Sequence, residues 1–208
     1  MAVITAITAQ VKKKDRCNIY VDHAFYCGLQ TETVLQYRLK VGSAVTAEEL
    51  EHIQLESERL KAFDRSLDYL SKSPKTRKQI AEYLKGKGYL DAVISYCLEK
   101  LDYYGYVDDA AYAKAYVAAY VGKKGELLLR NELRAKGCAD DVVACALAET
   151  ENRQLDGAIE IAKKYCAKKT GDSSAIRKTY RYLLSKGYSY EICKQAIGAI
   201  GEEQCEEF

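Results

Sequence analysis

The side chains of this 208-residue chain that could carry chemistry are two histidines, eight cysteines and a recurrent set of lysines and arginines. His23 and His52 both lie in the N-terminal third, far from most of the cysteines, and no two cysteines form a Cys-x-x-Cys pair. Zinc sites need clustered ligands at set spacings. The cysteines therefore read as reduced thiols acting as small hydrophobes. No nucleophile elbow, phosphate loop or metal cluster stands in the sequence. The chain is expected to be no enzyme and to need no cofactor.

What remains is the basic set, and its spacing is informative. The formal net charge is only +2, so no global field points to nucleic acid. Locally the picture differs. Residues 72–87 hold Lys72, Lys75, Arg77, Lys78, Lys85 and Lys87 against Glu82. Residues 123–136 hold Lys123, Lys124, Arg130, Arg134 and Lys136 against Glu126 and Glu132. Residues 163–181 hold Lys163, Lys164, Lys168, Lys169, Arg177, Lys178 and Arg181 against Asp172. Either these cations solvate exposed helix faces, or they form a basic ridge for an acidic partner surface, DNA or both.

The elements that position these clusters repeat. Three segments align on a Lys-Gly pair: Tyr83-Leu84 before Lys87-Gly88, Glu132-Leu133 before Lys136-Gly137, and Tyr182-Leu183 before Lys186-Gly187. The glycines are 49 and 50 residues apart (88 to 137, 137 to 187). Five residues past each stand Val93, Val142 and Ile192; ten past stand Leu98, Leu147 and Ile197. A helix ends with unsatisfied carbonyls, and a left-handed glycine one residue beyond closes it. Gly88, Gly137 and Gly187 are thus expected as helix C-caps, with the apolar residues Leu84/Tyr89, Leu133/Cys138 and Leu183/Tyr188 meeting across each cap.

Each repeat then reads as three helices, A, B and C. Helix B runs from Thr76, Glu126 and Ser174 in turn, and Thr76 with Gln79 forms a capping box. A second capping box, Thr46 with Glu49, opens a long apolar stripe that ends before Pro74. Residues 1–28 alternate as short strands, turning at the polar stretch 12–16 and at Asp22-His23-Ala24. The expected organisation is a small β-rich module over 1–46, a connecting helix over 47–63, three-helix repeats over 64–108, 109–151 and 152–201, and an acidic tail over 202–208. The fold class is mainly α: tandem three-helix repeats stacked into an elongated, curved body, with the small N-terminal β module. Several of the eighteen tyrosines (Tyr69, Tyr83, Tyr112, Tyr116, Tyr182) fall on apolar helix positions and read as core or rim residues.

These residues resemble the RecX family. Tyr69-Leu70-Ser71 with Ser73-Pro74-Lys75-Thr76-Arg77-Lys78-Gln79-Ile80 is similar to its opening motif. Gly105-Tyr106-Val107-Asp108-Asp109 with Tyr112-Ala113 is similar to its most recognisable segment, and Lys124-Gly125 and Lys186-Gly187-Tyr188 continue the match. Ser73 and Leu127-Leu128 depart from the commoner residues without disturbing the frame. The resemblance covers about residues 60–200, and the strand module resembles an extension found in one branch of the family. It implies a non-catalytic regulator that binds in the groove of the RecA recombinase filament and inhibits its recombinase and ATPase activities.

On that reading the partner-facing residues are Lys75, Arg77, Lys78, Lys85 and Lys87; Lys123, Lys124, Arg130, Arg134 and Lys136; and Lys168, Lys169, Arg177, Lys178 and Arg181. The chain is expected to be a cytoplasmic monomer without a membrane segment, and a weak, non-specific DNA contact is left open. The competing reading is a helix-turn-helix-like protein acting on DNA directly. Against it, no single unit concentrates the charge. Purified protein is expected to carry no zinc and to titrate as free thiols under denaturing, non-reducing conditions; a stoichiometric zinc signal would refute the reading of the cysteines.

Overall fold

The computed structural model describes residues 2–10, 13–148, 150–168 and 174–206. They divide into two compact units, one comprising 1–74 and 80–107, the other 75–79 and 108–208.

In the first unit, β1 (Ala2–Gln10), β2 (Lys13–Val21) and β3 (Ala24–Gln30) form an antiparallel meander. The Asp22-His23 turn has φ of 46° and 66°, the conformation a two-residue hairpin of this twist requires. Alternation puts Ile19 and Val21 inward with Ile4 and Leu29. Two expectations need correction. Residues 13–16 do not form a turn: they are already in β2, and Lys12 lies outside the described residues. The sheet has four strands rather than three, because β4 (Ala44–Val45) pairs with β1, in the order β3-β2-β1-β4. The sheet packs against α1 (Thr31–Gln36) and the first turns of α2 (Ala47–Leu70), through Leu50 and Ile53.

The α2 helix runs unbroken for 24 residues and serves two cores. Its start carries the Thr46–Glu49 capping box, with both reciprocal hydrogen bonds made. Its second half buries Ala62 with α3 (Arg77–Gly86) and α4 (Asp91–Tyr103) around Ile80, Leu84, Val93, Cys97 and Leu101. This is the first three-helix repeat.

The second unit holds the other two repeats. In one, α5 (Asp109–Tyr120), α6 (Glu126–Ala135) and α7 (Asp140–Leu147) enclose Ala113, Val117, Leu129, Leu133 and Val143. In the other, α8 (Glu151–Ala167), α9 (Ala175–Ser185) and α10 (Tyr190–Glu206) enclose Ala158, Ala162, Leu183, Cys193 and Ala196. The α10 helix continues through Glu206, beyond the Ile200 end that the sequence suggests.

The three glycines cap as expected. Gly88, Gly137 and Gly187 have φ of +83°, +93° and +84°. Behind each, the paired bonds of a Schellman ending are made. Tyr89 N donates to Leu84 O and Gly88 N to Lys85 O; Cys138 N to Leu133 O and Gly137 N to Arg134 O; Tyr188 N to Leu183 O and Gly187 N to Leu184 O.

The caps in the second unit also make joints. The carbonyls of Lys186 and Gly187 accept hydrogen bonds from the amides of Gly125 and Leu127, at the start of α6, at 2.9 and 3.1 Å. The Lys136 and Ala135 carbonyls, at the end of α6, accept from the Thr76 hydroxyl and the Lys78 ammonium. A Cβ on Gly125 would overlap Gly187, and one on Gly187 would overlap the Leu128 backbone. Gly122 and Gly157 bring α5's end and α8 together in the same way.

Each glycine is therefore constrained differently. A Cβ at Gly88 meets open space, whereas one at Gly137 strikes the Lys78 side chain and one at Gly187 strikes backbone. Gly88→Ala should lower stability by about 1–2 kcal/mol, the cost of the left-handed backbone alone. Gly137→Ala should cost more, and Gly187→Ala most. Urea unfolding midpoints of the three variants check the order; equal losses would show that the close approaches carry no energy.

Candidate functional site

Helix B of each repeat buries two apolar positions four residues apart and turns its cations the other way. In α9, Thr179 and Leu183 are buried while Arg177, Lys178 and Arg181 are exposed. In α6, Leu129 and Leu133 are buried, Arg134 is exposed and Arg130 is half-buried. In α3, Ile80 and Leu84 are buried, and Arg77, Lys78 and Lys85 are exposed. Lys75, just before it, is half-buried; Lys87, Lys123 and Lys168 are exposed, and Lys169 lies outside the described residues. Within the second unit the structure therefore brings together the basic faces of α6 and α9, linked by the Lys186–Gly125 joint.

Several of these cations are already engaged. Arg130 pairs with Glu126 and Arg134 with Asp140, each at 2.6 Å, and Lys85 stands 3.8 Å from Asp91. These pairs link surface groups and contribute little stability. They also lower the net positive charge of α3 and α6 relative to that of α9.

A second pattern was not legible in the sequence. The lysine of every Lys-Gly pair sits over a tyrosine ring: Lys87 over Tyr83 at 5.5 Å, Lys136 over Tyr116 at 5.4 Å, and Lys186 over Tyr182 at 5.3 Å. The rings are themselves braced between helices A and B. Tyr69 stacks on Tyr83 at 4.2 Å and Tyr165 on Tyr182 at 4.4 Å. In the middle repeat Glu132 takes the place of the second tyrosine, and the Tyr116 hydroxyl donates to it at 2.8 Å. Lys124 completes that arrangement, donating to both Glu132 oxygens at 2.7 Å and lying 4.5 Å from the Tyr120 ring centre. Lys87, Lys124 and Lys136 thus have an internal task alongside the partner-facing role expected of them. Each such cation–ring contact is worth about 0.5–1 kcal/mol at an exposed position. The unusual tyrosine count was the available signal, but only the fold shows which ring meets which lysine.

The acid–base behaviour of this cluster follows from its contacts. Burial works to raise Glu132, but the hydrogen bonds from Lys124 and Tyr116 outweigh it and hold the carboxyl below its usual range. Burial works to lower Lys124, and the same bonds reverse that, leaving it raised. Elsewhere burial pushes the Cys97 thiol up to about 11, far from a reactive thiolate. Cys17, Cys27, Cys97, Cys138, Cys145, Cys166 and Cys193 are free thiols, and among the described residues no three His, Cys, Asp or Glu side chains group as metal ligands. No described helix is long and apolar enough to cross a membrane.

One further cap escaped the sequence reading. Gly105 has φ of +68°, with Tyr106 N donating to Leu101 O and Gly105 N to Asp102 O. Gly105 therefore closes α4 as the other three glycines close helix B. Its signal was present, a glycine directly after a helical stripe and before an aromatic residue.

Comparison with known proteins covers nearly the whole chain. Four family models match in order: the regulatory protein RecX N-terminal domain over residues 2–46, and the first, second and third RecX three-helix domains over 62–101, 108–147 and 152–197. The regulatory protein RecX of Clostridium acetobutylicum is 34% identical over 208 residues, spanning 96% of this chain and 97% of that one. That of Bacillus subtilis is 30% identical, spanning 100% of this chain and 80% of its own length. A crystal structure of regulatory protein RecX superposes with a TM-score of 0.70 at 29% identity, over 93% of this chain and 98% of that one. The crystal structure of RecX from Lactobacillus salivarius gives 0.64 at 28% identity, over 69% of this chain and 97% of that one.

The Glu132 cluster yields a pH-dependent expectation. A carboxyl held low in the folded state adds stability above its unfolded pKa and loses it as pH falls through the folded value. Glu132→Gln should therefore cost about 1 kcal/mol near neutral pH, and the gap to the parent should close in acid. Thermal melts of both proteins across pH 3 to 8 check this; a gap that persists unchanged at the acid end would contradict it.

Proposed function

The chain belongs to the RecX family, and from that premise we propose that it is a non-catalytic regulator that binds the RecA recombinase filament. It inhibits the filament's recombinase and ATPase activities, and so modulates recombination, DNA repair and the SOS response. It acts in the cytoplasm, as a monomer, and any contact with DNA is weak and non-specific.

The observation that carries this reading is the recurrence of exposed cations on helix B of successive repeats, most fully in Arg177, Lys178 and Arg181. A filament presents its subunits periodically. A protein with periodic basic faces can meet several subunits at once, and weak contacts then add through effective concentration. One exposed charge contributes only about 0.2–1 kcal/mol, so single substitutions are expected to be nearly silent.

The test reverses a whole face. Arg177→Glu, Lys178→Glu and Arg181→Glu together should leave the fold intact, since all three are exposed. RecA ATPase on single-stranded DNA should be inhibited by the parent and much less by the triple variant, with the difference widening at high salt as the remaining contacts are screened. A folded variant that inhibits as well as the parent would leave α9 as a solvated face and place the contact elsewhere. A protein that instead favours one DNA sequence by about 10³ or more over random DNA would act as a specific DNA binder.

A further inference from the structure

The strand module and the first repeat share a feature that the filament-binding reading does not use. A cleft of about 300 Å³ lies within the first unit, walled by β2, α2 and the turn after α3. Four cations line it: Arg16 from β2, Lys61 and Arg65 from α2, and Lys87 from the α3 cap. Glu58 is the single carboxylate among the lining residues.

Two polar groups in its wall are buried without a hydrogen-bond partner among the described residues: Arg16 Nε and the Tyr89 hydroxyl. Both are held in place by other contacts. Arg16 Nη2 donates to the Gly28 carbonyl at 2.7 Å. Tyr89 is the residue after the Gly88 cap, its amide bonded to Leu84 O, and the Arg65 guanidinium lies 5.8 Å from its ring centre. Burial raises the Tyr89 hydroxyl above its usual range, so it remains a proton donor at neutral pH. Ser57 also faces the cleft; its oxygen accepts from Gln30 N at 2.8 Å and leaves its own proton to give.

A buried N–H or O–H with no acceptor is unfavourable, and so is a group of cations facing one carboxylate. One ligand relieves both. It must be anionic, and it must accept hydrogen bonds from three walls that do not share a plane, which a flat carboxylate does poorly and a tetrahedral oxyanion does well. The geometry points to a phosphate-binding site, formed by Arg16, Lys61, Arg65, Lys87 and Tyr89, that takes the phosphate of a nucleotide or of a nucleic-acid backbone. The strand module thereby supplies one of the ligand's donors rather than serving only as a cover for α2. This site does not depend on the RecA reading, and its test contains no RecA.

The test follows the melting of the full chain at fixed ionic strength with three probes: inorganic phosphate, adenosine monophosphate, and single-stranded oligothymidylate. A probe at about ten times its Kd should raise the parent's Tm by about 3 °C or more. A shift from the oligonucleotide alone assigns the site to backbone phosphodiesters; a shift from the mononucleotide or from inorganic phosphate assigns it to a free phosphate group. Arg16→Gln with Arg65→Gln should abolish the shift, while reversal of Arg177, Lys178 and Arg181 should leave it. Tyr89→Phe removes a partnerless hydroxyl, so the free variant should melt at or above the parent temperature and still lose much of the shift. That variant decides the matter if the double substitution fails to fold. No shift in the parent with any probe, or a full shift in Tyr89→Phe, would overturn the proposal.

Discussion

A helix must dispose of the carbonyls at its C-terminal end, and in this chain one solution is used for all three helices B. Glycine in the left-handed conformation turns the chain so that the next two amides satisfy the last turn. In the second unit the same turn leaves the carbonyls of residues 135–136 and 186–187 pointing outward, where they accept bonds from residues 76, 78, 125 and 127. Closing a helix and joining it to its neighbour are thus one geometric event. A side chain at Gly187 would obstruct both, which accounts for the glycine more completely than conformational freedom alone.

Everything that follows from local rules was legible in the sequence. The capping boxes at Thr46 and Thr76, the three glycine caps and the helix bounds they imply depend on residues a few positions apart, and the structure makes those bonds. What depended on distant pairing was not. The two-residue β4 has too little pattern to announce its pairing with β1, and the start of β2 is as polar as a turn. The candidate surface divides along the same line. Exposure of Arg177, Lys178 and Arg181 follows from the period of α9, whereas the placement of Lys136 over Tyr116 needs α5 and α6 docked first.

The lysine–tyrosine contacts also change how the charge should be read. A lysine ahead of a capping glycine favours the negative end of its helix by itself. Here it also covers a ring that braces helix A against helix B, so its loss would loosen the packing as well as remove a charge. The cations that carry no such duty in the contacts described above, chiefly those of α9, are the ones whose chemistry is directed outward. Cap, ring and exposed cation recur together because they are parts of one repeated unit, and any surface built from them inherits the period of the repeat.

The central claim is that the cap carbonyls join the second and third repeats, and amide hydrogen exchange at Gly125 and Leu127 tests it most directly. Their amides bond to Lys186 and Gly187 rather than within α6, so they exchange only when that joint opens. The account predicts protection comparable to that of Leu129 and Leu133 amides in the same helix. Exchange at the rate of an unprotected helix N-terminus, with the rest of α6 and α9 still protected, would contradict it.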